Sequence, residues 1–585
     1  MSARELIAER LDLWTGAVTK KSSSGRGSNS KIELTGIRKL RQLILRLAVI
    51  GQLVEQDDDD EPTKRLINRI YSEDGNGRSR LSHLHRDEKT TNLPIGWDLA
   101  FLPEVTEDKK YAIKRGPFGS ALKKAFFKPS GFKVYEQQHA INDDFARGNY
   151  YINEEKFTEL KAFEVSPGDL IISCSGTVGC VAEAPSWMEP GIINQALLKL
   201  SLDQRLLTND YFKILFSAFF LQTETLKNLQ GTAQKNMVSM ETLKKEPFPM
   251  PPIEEQHRIV QKVDELMALC DRLEQQSGDQ LEAHETLVDT LLGTLTQSEN
   301  VTELADNWAC VAAHFDTLFT TEQSIDKLKQ TILQMAVMGR LVEQSPFEGN
   351  ASALLQEIAD EKKRLVETGV LKRKKNNVAQ NESELFAIPS TWSWVISNEV
   401  CTLITDGEHN TPERTTDDTA VPLATAKNVR DGYIDLTNTD FVPRGVAETC
   451  WNRCKPELGD ILMVSVGATL GRLAIMRDSQ DMVLVRSVTL MRPMKVLGEY
   501  LAIYLQAPTT QSWIWRNVRQ SAQPCLYLSK SSSIPVSVPP LAEQHRIVQK
   551  VDELMALCDQ LKERLSKAAE TRNQLAEAVV EGALN

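Results

Sequence analysis

Two stretches of this chain share one hydrophobic rhythm. Ile259, Val263, Leu266, Cys270 and Leu273 advance by four, three, four and three residues, and Ile547, Val551, Leu554, Cys558, Leu561 and Leu565 repeat the step. That period predicts helices with a single apolar seam, which need a partner to cover it. The letters recur as well: EQHRIVQKVDELMALCD stands at Glu255–Asp271 and, unchanged, at Glu543–Asp559, an offset of 288 (543 − 255). The same offset separates IRKLRQLILRLAVIGQLVEQ at Ile37–Gln56 from IDKLKQTILQMAVMGRLVEQ at Ile325–Gln344. Their apolar positions, Ile37, Leu40, Ile44, Leu47, Gly51, Val54 and Ile325, Leu328, Ile332, Met335, Gly339, Val342, predict two more seam helices. In this reading Gly51 and Gly339 are seam positions that let two backbones approach.

Between the helical tracts the pattern changes to short β-branched runs. DLIIS and DILMVSV follow Pro-Gly-Asp and Leu-Gly-Asp turns and are broken by Gly176, Gly179, Gly467 and Gly471, which predicts strand-rich units with glycine turns. Helices are expected over Asp210–Leu229 and Gly498–Val518, and Glu361–Asn377 reads as an exposed charged helix end or hinge. The strand-rich units match each other too, with small shifts of offset. LPIGWDLAFLPEV at Leu93 answers IPSTWSWVISNEV at Ile388, GDLIISCSGTVGCVA at Gly168 answers GDILMVSVGATLGRLA at Gly459, and FPMPPIEEQ at Phe248 answers VSVPPLAEQ at Val536. Trp97 and Trp392 in these segments read as core anchors.

One module is therefore duplicated in tandem. The expected division is a helical region over 1–90, a strand-rich domain over 91–252, a central helical repeat over 253–385, a second strand-rich domain over 386–540 and a C-terminal helical repeat over 541–585. The terminal helices can pair as the central ones do, closing the halves into a pseudo-twofold ring. Helices of about 40 residues would reach about 60 Å and hold two domains apart.

Charge and cysteine content narrow the chemistry. Of the net charge of −12, −10 belongs to the helical tracts, because residues 90–250 carry 18 Lys+Arg against 19 Asp+Glu and residues 386–540 carry 14 against 15. Two near-neutral domains with local basic positions remain compatible with nucleic acid, since steering depends on local patches. None of the nine cysteines forms a C-x-x-C pair, which argues against zinc. The amphipathic, acidic start MSARELIAERLDLW does not read as a signal peptide, and no run of about 20 apolar residues is present, so a reduced, cytoplasmic chain is expected.

Catalytic machinery is missing from the pattern. The Pro-Pro pairs follow Met250 and Val538, which cannot accept the amino hydrogens of a target base as an amino-methyltransferase requires. Glu154-Glu155-Lys156 lacks the Pro-Asp strand of a Mg²⁺-dependent nuclease, no G-x-x-x-x-G-K-[ST] loop occurs, and His257 and His545 lie in the helical repeat instead of beside a nucleophile.

The L-P-x-G-W opening at Leu93–Trp97, GDLIISCSGTVG, INQALLKL at Ile193, GTAQKNM at Gly231 and the PPIEEQHRIV and PPLAEQHRIV junctions resemble the specificity subunits of type I restriction-modification systems. The likeness covers nearly the whole chain. It implies an α+β fold in which two target recognition domains, separated by long antiparallel coiled-coil helices with internal circular pseudo-twofold symmetry, each read half of a split double-stranded DNA site. It also implies a non-catalytic chain without cofactor or metal. Methyltransferase (M) subunits, two per chain, would carry AdoMet and the adenine chemistry, and restriction/translocase (R) subunits would use ATP and Mg²⁺. Many members begin directly with the first recognition domain, whereas here about ninety residues precede it; in a circular arrangement that is a different cut point.

Side chains able to bond base edges or phosphates are the candidates for DNA contact. In the first domain they are Lys114, Arg115, Ser120, Lys123, Lys124, Ser175, Thr177, Asn194, Gln195, Gln234, Lys235 and Asn236. In the second they are His409, Asn410, Arg414, Lys427, Asn428, Arg430, Ser465, Thr469, Arg486, Ser487 and Gln523. His257, Arg258, Gln261 and Asp264, with their copies His545, Arg546, Gln549 and Asp552, lie off the apolar seam and are candidates for the M-subunit interface. A self-contained restriction-modification enzyme and a non-catalytic coiled-coil scaffold stand as alternatives.

Overall fold

The helix Thr35–Val49 (α1) buries Ile37, Leu40, Leu43, Ile44 and Leu47 along one face. It stops where Gly51 turns left-handed at φ 71°, and the Gln52 amide donates back to the Leu47 carbonyl at 3.0 Å. This six-to-one bond is the mark of a Schellman stop. Gly51 is thus a helix terminator and not a seam position, which corrects the expectation from spacing: the helix had ended before the periodic count reached it. A Cβ on Gly51 would fall 2.3 Å from Pro94 Cγ, so the Pro-x-x-Trp segment that begins the strand-rich region packs directly on the helix stop.

These features come from a computed structural model, which describes residues 7–20, 32–74, 93–118, 121–220, 237, 239–299, 301–371, 385–519 and 523–582. It divides into two compact units. The first holds Asn29–Asp279 with Met1–Ser22 and Ala569–Asn585, and the second holds Gln280–Ala568.

In the first unit α1 is followed by Thr63–Glu73 (α2) and, after the strand-rich region, by Ile253–Gln297 (α3), whose first part belongs here. Ile259, Val263, Leu266 and Cys270 are buried in one core with α1 and α2, as the four-three rhythm predicts. Ala576, Val579 and Val580 join the same core, and Lys39 Nζ donates to the Asn573 carbonyl at 3.0 Å, so the C-terminal residues complete the unit. The strand-rich region has an antiparallel sheet in the order 113–115, 197–200, 170–173, 181–183. A second sheet runs 151–152, 132–135, 191–193, 164–165, with Phe132–Tyr135 and Gly191–Ile193 parallel. The outer strands Asp98–Ala100 and Phe248–Met250 pair where the region begins and ends.

The second unit repeats this plan with Glu322–Val337 (α4), Ala351–Glu367 (α5) and the first part of Leu541–Gly582 (α6). Gly339 stops α4 at φ 70°, with a Cβ there 2.5 Å from Pro389 Cγ, so it too is no seam residue. The sheet order 401–406, 488–493, 461–464, 473–475 is again antiparallel, the strand Val421–Ala424 again runs parallel to its neighbour Val483–Leu484, and Ser393–Ile396 again pairs with Pro535–Val538.

One expected helix changes pitch and another is broken. Asn209–Leu215 is α-helical and passes into a π turn at Phe216–Phe220, and the rest of the expected span to Leu229 lies outside the described residues. Gly498–Val518 becomes Gly498–Gln506 and Pro508–Arg516, because Pro508 has no N–H to continue the first helix and suits the first turn of the next. The charged tract is the exposed end of α5; from position 372 on it lies outside the described residues.

Candidate nucleic-acid interface

In the first unit the loops at one edge of the two sheets enclose a cleft of about 600 Å³ lined by Arg115, Phe118, Glu136, Gln137, Gln138, Ser175, Asn194, Gln195 and Ala196. Arg115 ends the strand Ile113–Arg115, and Gly116 follows because a Cβ there would sit 1.8 Å from the Asn194 carbonyl oxygen. That close approach brings Arg115 beside the Asn194–Ala196 turn. The Arg115 guanidinium lies 5.4 Å over the exposed Phe118 ring, and its Nε is buried without a hydrogen-bond partner among the described residues. Gln138 Nε2 donates to Glu136 Oε2 at 3.1 Å. Below them His139 is fully buried; its Nε2 faces the Arg147 carbonyl at 2.8 Å and so carries the proton, leaving Nδ1 to accept from the Glu136 amide at 2.9 Å. The cleft thus presents a cation, a carboxylate and several amides on a frame held from beneath.

Four sequence candidates, Arg115, Ser175, Asn194 and Gln195, meet here. Asn194 is nearly buried and its Oδ1 accepts from the Ala196 amide at 3.0 Å, so its side chain shapes the turn. Lys114 points away from the cleft, over the rings of Tyr111 and Phe163, as neighbours on a strand alternate. Thr177 is exposed in the turn between Gly176 and Gly179, both left-handed, and Lys123 and Lys124 are exposed on a separate turn. Ser120, Gln234, Lys235 and Asn236 lie outside the described residues. The sequence reading missed Phe118, Glu136, Gln137 and Gln138; for the last three the signal was a run of polar residues, Glu-Gln-Gln, placed directly after the strand Phe132–Tyr135.

The second unit sets out its candidates differently. His409 Nε2 lies 2.8 Å from Asp406 Oδ2 and 3.0 Å from Arg453 Nη2, and Arg453 also pairs with Asp406, so this histidine sits in an ion-paired loop beside exposed Asn410. Arg414 pairs with Asp440 at 3.0 Å and Arg430 with Asp435 at 3.5 Å. Asn428 and Ser465 are buried. Asn428 Oδ1 accepts from the Thr425 amide at 2.9 Å and its Nδ2 donates to the Asp435 carbonyl at 2.9 Å, so both residues serve the fold. Lys427, Arg486 and Gln523 are exposed, and Thr469 and Ser487 half-buried.

No group of three or more His, Cys, Asp or Glu side chains able to hold a metal ion occurs among the described residues. Burial pushes the Cys174, Cys401 and Cys454 thiols up to about 12, which keeps them protonated and poor nucleophiles. The family model of the type I restriction modification DNA specificity domain matches residues 118–283 and 389–571, more than half of the chain. The chain belongs to this family.

Its relatives agree along the full length. The EcoAI specificity subunit of Escherichia coli is 32% identical over 615 residues and the EcoEI specificity subunit of the same species 32% over 614, each alignment covering 100% of both chains. The helical residues ahead of the first matched segment are therefore shared with these specificity subunits. The crystal structure of the HsdS subunit from Thermoanaerobacter tengcongensis is 17% identical, covers 85% of this chain and 98% of that one and superposes with a TM-score of 0.41, too distant to carry an argument about detail. As a type I specificity subunit this chain is a non-catalytic DNA-recognition component of mixed α+β structure with two specificity domains.

Within the specificity subunit, the fold accounts for much of the identical repeat. Glu255 is buried and accepts from Trp97 Nε1 at 2.8 Å and Gln56 Nε2 at 2.7 Å; Glu543 accepts from Trp392 Nε1 at 3.0 Å and Gln344 Nε2 at 2.6 Å. Gln256 and Gln544, both fully buried, cap loop amides of Thr208 and Leu497. Arg258 pairs with Asp60 at 2.6 Å and Arg546 with Glu348 at 2.7 Å, so these two interface candidates are engaged inside their own units. His257, Gln261 and Asp264, like His545, Gln549 and Asp552, are exposed. Among the described residues no side-chain hydrogen bond or ion pair engages them, so the packing gives no reason for their identity in both copies. No helix among the described residues is long and apolar enough to cross a membrane.

Proposed function

We propose that the chain reads an asymmetric, bipartite DNA site, one half through each strand-rich domain, and directs adenine methylation and restriction by partner subunits. The observation that carries this is a contrast: the two units share the order of their four-stranded antiparallel sheet, a parallel strand pair, helix stops and buried Trp–Glu anchors, yet differ in the side chains that their loop edges display. Two copies of one reading frame with different reading groups suit two different half-sites. The domains would span 91–252 and 386–540, and α3 and α6, 45 and 42 residues long, would form the antiparallel coiled-coil ruler between them, with the pseudo-twofold ring closed by the terminal helices.

The exposed residues that remain identical in both copies support a repeated partner surface, since identical surfaces recruit identical partners. Two M subunits, each bringing AdoMet, would bind one chain, and R subunits with ATP and Mg²⁺ would join for cleavage, in the cytoplasm where the DNA lies. Native mass spectrometry of the co-expressed subunits should give an M2S1 core. Replacing His257, Gln261 and Asp264 with alanine, and sparing Arg258 because Asp60 needs it, should leave one M. A wild-type core with a single M, or a substituted chain that still holds two, contradicts the partner surface.

A further inference from the structure

The two units hold equivalent backbone frames that display different side chains. In the first, the Glu136 amide donates to His139 Nδ1; in the second, the Thr425 amide donates to Asn428 Oδ1, at 2.9 Å in both. Each bond closes a turn directly after the strand that pairs in parallel with Gly191–Ile193 or with Val483–Leu484. The facing turn is matched too. The Cys174 amide donates to the Ala196 carbonyl at 2.7 Å and the Ser465 amide to the Ser487 carbonyl at 2.9 Å, while the Cys174 and Ser465 carbonyls accept from the Met237 and Leu526 amides, each at 2.9 Å. These bonds fix the register. Gln138 stands where Lys427 stands, and Gln195 stands where Arg486 stands.

The residues that hold the frame are interior, with His139 and Asn428 at 0% and 1% exposure. Those displayed on it are not: Gln195, Lys427 and Arg486 are exposed, and half-buried Gln138 has its amide oriented by Glu136 at the cleft. Among the described residues, the side chains of Gln195, Lys427 and Arg486 make no hydrogen bond or ion pair.

We propose that the pairs Gln138/Lys427 and Gln195/Arg486 are specificity-determining positions, at which the first unit offers DNA amides and the second offers it cations. The inference rests on the DNA-reading function proposed above. A glutamine amide offers one donor and one acceptor, which match adenine N6 and N7 in the major groove, whereas a guanidinium offers two parallel donors, which match guanine O6 and N7. The first half-site should therefore contain an adenine opposite Gln195, and the second a guanine opposite Arg486.

The test uses the full chain in the assembly it forms, selecting from duplexes with both half-sites randomised. Gln195→Arg should change the preferred base at one position of the first half-site from adenine to guanine, with discrimination altered on the order of 10- to 100-fold, and leave the second half-site as in the wild type. Arg486→Gln should do the reverse. Gln195→Ala should flatten preference at the same position, and it decides the matter if the arginine variant binds nothing. Unchanged half-sites in these variants overturn the inference while a bipartite target, and with it the proposed function, stands. A wild-type assembly that selects no bipartite target removes both.

Discussion

Glu255→Ala should destabilise the first unit by about 2 kcal/mol, and Glu543→Ala should do the same to the second. The glutamate lies 1% exposed in either copy, and its two oxygens take the Trp indole N–H and one hydrogen of a Gln amide whose Nε2 also donates to the Gly51 or Gly339 carbonyl. Removing it leaves the buried indole N–H unpaired, at about 1–3 kcal/mol, while the less buried Gln amide keeps its glycine carbonyl and can turn to water. Denaturant unfolding of the assembled chain, followed by tryptophan emission, measures the loss. A shift below about 0.5 kcal/mol would show that the anchor does not hold the domain to its helices.

The same pair gives a pH signature. Burial pushes both carboxyls above the ordinary 4.5, although the hydrogen bonds from tryptophan and glutamine pull the other way. The folded units then hold these protons more tightly than the unfolded chain does. The associated stability is fully present below the ordinary glutamate value and is lost as pH rises through the raised one. Relative to Glu255→Gln and Glu543→Gln, which cannot titrate, wild type should lose stability over that window and show a constant difference above it.

Inserting four residues within Gln276–Gln297 should change the DNA target more than any surface substitution. Four residues add about 6 Å and slightly more than one turn to α3, close to two base-pair steps of about 3.4 Å. If helix length sets the distance between the reading domains, the unread gap should lengthen by about two base pairs, or binding should fail, with both half-sites unchanged. Target selection with the insertion variant measures this. A variant that keeps the gap and alters a half-site would show that the helix is not the ruler.

The duplication, the seam helices and the strand-rich character of both domains were legible because they rest on periodicity and self-similarity, which local sequence carries. The glycines were not. Gly51 and Gly339 fall on the periodic count, but their role depends on left-handed backbone and on prolines more than forty residues away. Likewise Arg258 looked like free helix surface until Asp60, 198 positions earlier, came into reach. In the cleft, Arg115 and Gln195 were readable by residue type, whereas Gln137 and Gln138 became candidates only once the parallel pairing of Phe132–Tyr135 with Gly191–Ile193 brought their turn alongside. Asn428 and Ser465 erred the other way: polar residues in turns, they proved to be buried supports.

The central claim is that two frames of one kind read two different half-sites. It is tested most directly by mapping adenine methylation across the DNA of cells that carry the wild-type chain with its partner subunits, and by repeating the map with residues 91–252 replaced by a copy of residues 386–540. The wild type should methylate an asymmetric motif of two unlike halves separated by a fixed gap, and the exchanged chain a motif whose halves are inverted copies of the second. A single continuous palindrome from the wild type, or an unaltered motif from the exchanged chain, would contradict it.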